Sequence, residues 1–564
     1  MKRWGVLVAA AVIGAAIAPG QIASASSGAG AYRQASSIQA VPASGTASQG
    51  PSAAAQARFD RFAAQQPLYA HPVQLAGAKQ AVARRMQAAA SAATSGAAHL
   101  PVVKRSWNGV YSTDVVPPDT TGAVGPSSYI ETVNVKAGIY SRTGSVITSG
   151  SLNTLLGAGG DCVTDPQMKY DANTGIFYYV ALGVGNFFPC GQAANNLYIG
   201  WSKTSNPTGL GTSNWCKFIY AGYGSEIADY PKLGDTQSFF VVGANIYDDT
   251  GSDYLGSDVL AFAKPTDPGT CTSPLPGTKF SNITVPGSGT LIDRTPVPVV
   301  QTDPSDTGYV VAADFDGVGV CASGTDKTCG THVAVFTVGN SGGTPTLSAA
   351  TLVNVTRFDV PPNAPQKGVG VLIDTLDGRL TQATSGVDPN NATVDAAGAI
   401  WTQHAIFGGA GSKVRWYEID PNAGTEIQEG NASSSKWYVF NGAIAPDRSF
   451  VPGGTSVNGG DMVVGVSTSS TSTYPAIRMV SKLGGAGQSA FVFVKGALGL
   501  NRDFSCVPPA PGFAAVCRWG DYSGASPDPV ASASGHIWLA NQYNVASQTK
   551  SDVDTRTFIW EATP

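Results

Sequence analysis

The chain has 564 residues, with 34 Lys+Arg against 38 Asp+Glu for a formal net charge of −4, and only 13% of its residues are charged. That balance argues against nucleic acid as a partner, since a nucleic-acid binder carries a basic face. The 68 Gly and 36 Pro signal many turns and short strands rather than long helices.

At the start, Lys2 and Arg3 precede the apolar run 6–18, and Ala23-Ser24-Ala25 follows as a small-residue cleavage site. This is the order of a secretory signal peptide, placed at 1–25. The apolar run is too short to span a bilayer, and no later run reaches its length. The expectation is a secreted monomer, extracellular or periplasmic, without membrane insertion. The eight Cys are even in number and form no C-x-x-C pair, which favours disulfides over a metal site in an exported chain. Neighbour pairing gives Cys162 with Cys190, Cys216 with Cys271, Cys321 with Cys329, and Cys506 with Cys517.

Residues 26–100 are Ala/Ser/Gln-rich. Their first part, 26–52, reads as disordered. Pro67 and Pro72 then separate two helix-prone pieces, the second from about Ala78 to Ala93. A linker is the favoured reading, with a pro-segment or a docked helix as alternatives.

From Pro101 onward the character is β. A polar opening recurs at Asp119, Asp165, Asp229, Asp293, Asp377, Asp447 and Asp521. Each is followed by an aromatic or β-branched run, such as Phe177-Tyr178-Tyr179-Val180-Ala181, Phe239-Phe240-Val241-Val242 or Ile537-Trp538-Leu539-Ala540-Asn541. Third runs follow, including Val259-Leu260-Ala261-Phe262, Val414-Arg415-Trp416-Tyr417 and Phe491-Val492-Phe493-Val494, and in some units a fourth, such as Lys436-Trp437-Tyr438-Val439-Phe440. Turns that open with Asp and close with Gly suit the hairpins between them. The pattern predicts an all-β fold, a seven-bladed β-propeller of four-stranded blades over 101–564. The last unit ends one strand short, and the unpartnered run from Leu100 to Trp107 can supply that strand and close the ring.

In a propeller the first strands line the channel, so the polar openings converge near the axis. The candidate catalytic carboxylates are Asp119, Asp165, Asp229, Asp377 and Asp521. Arg294, Arg379, Arg518, Tyr230, Tyr522 and His404 are the candidate substrate-binding residues. Paired carboxylates suit glycoside hydrolysis, and arginines from separate blades suit a carboxylate-bearing substrate. The competing reading for each Asp is that it caps a turn or bonds the neighbouring backbone. His404, in Trp401-Thr402-Gln403-His404, fits a half-buried strand position more readily than a ligand role, and the five His are too scattered for a zinc site. No cofactor is required. Asp248-Asp249-Thr250-Gly251-Ser252-Asp253 has the oxygen ligands for a structural Ca²⁺ but lacks the full 12-residue pattern.

The motifs Pro117-Pro118-Asp119-Thr120-Thr121-Gly122, Asp165-Pro166, Asp229-Tyr230-Pro231-Lys232-Leu233-Gly234, Leu376-Asp377-Gly378-Arg379-Leu380 and Arg518-Trp519-Gly520-Asp521-Tyr522-Ser523 resemble those of a group of exported bacterial β-propeller proteins, broadly sialidase-like in architecture. The resemblance covers about 101–564. It implies an arginine cluster, imitated here by Arg294, Arg379 and Arg518, and a tyrosine, Tyr230 or Tyr522. The family's S-x-D-x-G-x-x-W box has no clean copy, and Ser526-Pro527-Asp528 through Trp538 is a stretched variant. Three functions compete: a hydrolase acting on an extracellular glycan with paired carboxylates, a non-catalytic glycan- or protein-binding scaffold, and a polysaccharide lyase using Arg with Tyr or His. Fold alone does not choose among them.

Overall fold

The computed structural model describes residues 32–43, 69, 71–86, 99–112, 116–185, 195–284, 295–314, 330–388, 398–449, 457–530, 535–549 and 553–564. The expected signal peptide, Asp293, Arg294, Cys190, Cys321 and Cys329 lie outside the described residues. No helix among the described residues is long and apolar enough to cross a membrane. Two of the expected disulfides are formed, Cys216–Cys271 and Cys506–Cys517.

The fold is all-β and built from antiparallel four-stranded meanders, an arrangement consistent with a propeller. Each meander begins with a strand at one end of its sheet order. These first strands are Thr121–Val124, Cys162–Asp171, Ile227–Asp235, Val297–Pro298, Gln382–Gly386, Tyr438–Ser449 and Gly524–Pro527. Each touches the next in chain order, and the last touches the first. The approach at the closure is tight. A Cβ on Gly524 would lie 3.1 Å from the backbone nitrogen of Gly122.

The apolar runs seen in the sequence are second and third strands whose two faces are both buried, which removes the usual polar alternation. In Phe239–Tyr247, Phe240 and Val242 pack toward Tyr178, Val180 and Trp201. Phe239 and Val241 pack the other way, toward Val310, Ala312 and Phe336. Burying one such side chain is worth about 1.5–3 kcal/mol, so the inter-sheet layers are the main stabilising element.

The last meander takes its fourth strand from the other end of the chain. Strand β1 (Tyr32–Pro42), helix α1 (Pro72–Met86) and strand β2 (Val102–Ser112) precede the first meander. β2 runs antiparallel to Thr555–Thr563, with Val102 opposite Thr563 and Ser112 opposite Thr555. The stretched box also has a physical basis, because Trp538 Nε1 donates to Asp528 Oδ2 at 2.7 Å.

Several sequence expectations are corrected. β1 lies within the stretch read as disordered. It bridges two outer strands, pairing with Leu275–Ile283 along most of its length and with Trp215–Tyr220 at its end. α1 starts at Pro72 rather than near Ala78, and proline is well tolerated in the first turn because its missing N–H has no intrahelical partner there. Around 436–496 the strand assignment shifts by one. Tyr438–Ser449 opens a new meander instead of closing the previous one. Thr473–Leu483 is that meander's third strand, so Val492–Gly496 is its fourth. Asp447 therefore sits far along its first strand, and Asn441 holds the opening position.

Candidate functional site

The openings share a backbone device. The first strands slip register between Thr164 and Gln167, between Asp229 and Lys232, and between Phe440 and Ala443. Inside these bulges Asp165, Tyr230 and Asn441 have φ of 51°, 59° and 47°. Asp119 and Leu376, which precede two other first strands, also have positive φ, at 49° and 62°. Asp and Asn tolerate the left-handed region, whereas a bulky side chain such as Tyr230 is held there only by its surroundings. Bulges of this kind re-aim side chains, and here they bring the polar openings to one end of the channel.

Asp119 is buried. Its Oδ1 accepts from the Asp521 N–H at 2.7 Å and its Oδ2 from Asn134 Nδ2 at 2.8 Å. Asn134 Oδ1 in turn accepts from the Asp165 N–H at 2.7 Å. Asn134 therefore ties two adjacent openings together. Arg518 pairs with Asp521 at 2.5 Å. Arg379 grips Asp377 with two hydrogen bonds of 2.8 Å each. Tyr230 donates its hydroxyl to the Asp521 carbonyl, and Tyr522 donates to the Pro166 carbonyl at 3.0 Å.

Both arginines are thus paired within the protein. The expected two-point fork for a substrate carboxylate is occupied at Arg379 by Asp377. His404 is fully buried and has both ring nitrogens engaged, with the Gly378 carbonyl at 2.6 Å and Tyr417 Oη at 2.9 Å. Burial lowers its pKa to about 3. It is a neutral brace between strands rather than a ligand at the axis. Asp248 spends its carboxylate on its own turn, accepting from Thr250 Oγ1, Ser252 N and Asp253 N.

The remaining carboxyls carry the unusual electrostatics. Burial, reinforced by the Asp229 and Asp521 charges, pushes Asp165 up to about 7. Burial also pushes Asp229 to about 7, with Asp521 and Asp119 adding to the shift and Arg379 opposing it. Asp119 is raised well above the carboxylate range by burial and by Asp521 and Asp165. Among the described residues the Asp229 carboxyl makes no hydrogen bond or ion pair, and the residue is half-buried rather than sealed.

Four residues of this cluster were not picked out from the sequence. Lys232 is 1% exposed, and its Nζ lies 3.5 Å from the Tyr230 ring centre and 3.6 Å from that of Tyr522, with no hydrogen bond. Burial drives its pKa well below the lysine range. Its motif was visible, but a lysine between apolar neighbours reads as a solvated strand residue. Asp374 accepts from Tyr69 Oη at 2.5 Å and from Lys79 Nζ at 2.8 Å. Neither contact has a sequence signal, because the partners are separated by about three hundred positions.

Below the cluster runs the channel, lined by first-strand residues including Gly122, Gln167, Lys232, Val297 and Ala525. It holds a cavity of about 60 Å³. That is room for a few waters.

No protein-family model matches the chain, and no curated protein matches it. Solved structures overlap it loosely. A polysaccharide lyase of family PL25, an ulvan lyase bound to -[GlcA(1-4)Rha3S]-, is 10% identical, with 78% of this chain and 91% of that one covered and a TM-score of 0.37. The parainfluenza virus 5 hemagglutinin-neuraminidase ectodomain is 9% identical, covering 71% and 82% with a TM-score of 0.34. Synechocystis apocarotenoid oxygenase is 8% identical, covering 67% and 74% with a TM-score of 0.32.

Proposed function

We propose that the chain is an exported seven-bladed β-propeller that hydrolyses an extracellular glycan at the mouth formed by the blade openings. The seven-blade count is supported by the closed ring of first strands and by β2 supplying the last outer strand. The observation that carries the chemistry is the contrast between Asp229 and Asp521. Asp229 is half-buried, without a partner among the described residues, and titrates near 7. Asp521 is held by Arg518. A carboxyl that keeps its proton near neutral pH, with a second carboxyl held by an arginine, supplies the two groups that glycosidic cleavage needs. Asp229 protonates the leaving oxygen, and Asp521 acts as base or nucleophile. Burial, with the charges of Asp521 and Asp119, keeps Asp229 protonated.

The scaffold reading is favoured by Asp119, whose carboxylate is spent on Asn134 and on the Asp521 N–H. The lyase reading lacks a base, since Tyr230 and Tyr522 donate to carbonyls and His404 is sealed. The test is product formation by the mature protein on a polysaccharide panel, with Asp229→Asn and Asp521→Asn beside wild type. Each substitution is expected to lower turnover at least ~100-fold, in line with the loss of a general acid or base. Turnover unchanged in both variants removes the hydrolase reading, and glycan binding without turnover in any form selects the scaffold.

A further inference from the structure

The leader, Tyr69 together with α1 ahead of the first meander, contributes two buried side chains to the mouth of the site. Tyr69 is 9% exposed and Lys79 5%. Both bond to Asp374, and Lys79 also reaches Asn363 Oδ1 at 2.7 Å. The Arg379 guanidinium lies between two rings, 5.3 Å from Tyr69 and 5.0 Å from Tyr230. Tyr69 also feels the charges of Arg518, Asp521 and Asp377, so its phenol lies near the ion pair that holds Asp521.

The cradle under Tyr69 does not depend on Tyr69. Asp374 Oδ1 is oriented by the N–H groups of Thr375 and Leu376, at 2.8 and 3.2 Å. Arg379 is locked by Asp377. Lifting the leader would leave Asp374 Oδ2 as an aimed acceptor next to a fixed guanidinium. The leader is held by modest means. Its buried apolar residues on α1 are Leu75, Ala76, Ala78 and Val82, a narrow stripe. Its one buried ion pair among the described residues, Lys79–Asp374, gives little net stability because desolvation offsets the attraction. The chain between α1 and β2 is mostly Ala, Ser, Thr and Gly over 87–98.

We propose that residues 69–86 are an internal plug, in which Tyr69 occupies a subsite made by Asp374 and Arg379 that accepts a hydroxyl-bearing sugar ring of the glycan. The ring's hydroxyl replaces the phenol as donor to Asp374, and the leader must leave before the glycan reaches Asp229 and Asp521. The subsite prefers neutral or amino sugars to uronic acids, because both nearby arginines are already paired with aspartates and the unpaired groups beside them are carboxyls. This inference rests on the glycan reading above.

The test uses the full chain with a specific protease site placed within 87–98, together with the variants Tyr69→Phe and Tyr69→Ala/Lys79→Ala. The probes are a neutral cello-oligosaccharide, a chitosan oligosaccharide and an oligogalacturonate of equal length. Hydrogen exchange of α1 reports whether the leader has lifted. Lifting the leader, by cleavage or by the double substitution, is expected to tighten binding of the neutral or amino probe at least tenfold, with the uronate weakest. Tyr69→Phe, which keeps the packing, should give a smaller gain of two- to fivefold. Exposed α1 amides with unchanged affinity for all three probes overturn the plug, and weaker binding once the leader is lifted makes it part of the site instead. Cleavage after folding keeps the test valid even if the double variant fails to fold. Glycan turnover equal with and without the leader sinks the plug while sparing the hydrolase. Tighter binding on lifting, with turnover unaffected by Asp229→Asn and Asp521→Asn, does the reverse.

Discussion

The two ends of the channel are built from the same kinds of residue and balance them differently. Where the first strands end, Lys264 bonds Asp171 at 2.6 Å and Asp235 at 2.8 Å, and Lys169 pairs with Asp235. Two lysines meet two aspartates, all 4% exposed or less. Burial alone would raise Asp171, but Lys264 and Lys169 more than offset it and hold it at about 2. At the openings, the pairs Arg379–Asp377, Arg518–Asp521 and Lys79–Asp374 leave the carboxyls of Asp119, Asp165 and Asp229 without an ion pair of their own among the described residues. Those carboxyls are raised. A balanced network favours the folded state, whereas a surplus of one sign in a buried place costs stability and is where tuned groups are found.

Breaking the balanced end should have the largest effect. Lys264→Met leaves Asp171 without its lysine and Asp235 with only one. Removing one partner of a buried ion pair typically costs about 3–5 kcal/mol, and a loss of that order is expected in urea unfolding at pH 7. The loss should shrink as pH falls toward 2. A depressed carboxyl stabilises the fold above its unfolded pKa, near 4, and that contribution disappears as pH drops through the folded value of about 2. A loss below ~1 kcal/mol at pH 7 would mean that Lys169 alone satisfies both aspartates.

The openings should respond in the opposite sense. Asp165 and Asp229 have folded pKa values near 7, above the unfolded value. Below pH 4 they are protonated in both states and cost nothing. Between 4 and 7 the unfolded chain ionises first, so their penalty grows with pH and levels off above 7. Asp229→Asn cannot ionise. It is expected to stabilise the protein at pH 8 by roughly 1–3 kcal/mol, discounted from about 1.4 kcal/mol per pKa unit because the carboxyl is only half-buried. At pH 4 it should bring no gain. Paired thermal melts at the two pH values check this, and equal gains at both would show that the group is not raised.

The sequence made the layered architecture readable for a definite reason. Second strands such as Phe239–Tyr247 are buried on both faces, so their apolar runs stand out whatever their neighbours do. The misreading around 436–496 came from treating the opening as an acidic residue. What recurs there is a left-handed bulge, which Asn441 fills as well as Asp165 does, while Asp447 lies along the strand. β1 was hidden because its Ser/Gln-rich sequence has little strand character of its own. Its order comes from two outer strands that each offer an edge. The members of the cluster were legible as residue types at recurring positions. Their pairing was not, because ion pairs such as Lys79–Asp374 join residues about three hundred positions apart.

The smallest expected effect separates the leader's surface attachment from its attachment at the site. Arg85 approaches Asp359 at 3.6 Å and is 39% exposed. An exposed ion pair contributes about 0–1 kcal/mol, because water screens it and both side chains lose freedom in holding it. Arg85→Ala should therefore change stability by less than ~1 kcal/mol and leave hydrogen exchange of α1 nearly unaltered. Lys79, on the same helix, bonds Asp374 and Asn363, and its loss strands a carboxylate next to Tyr69. If Arg85→Ala released α1 as fully as Lys79→Ala, the leader would be held by general surface attraction. Release by Lys79→Ala alone would place the hold at Asp374, on the carboxyl-rich side of the comparison.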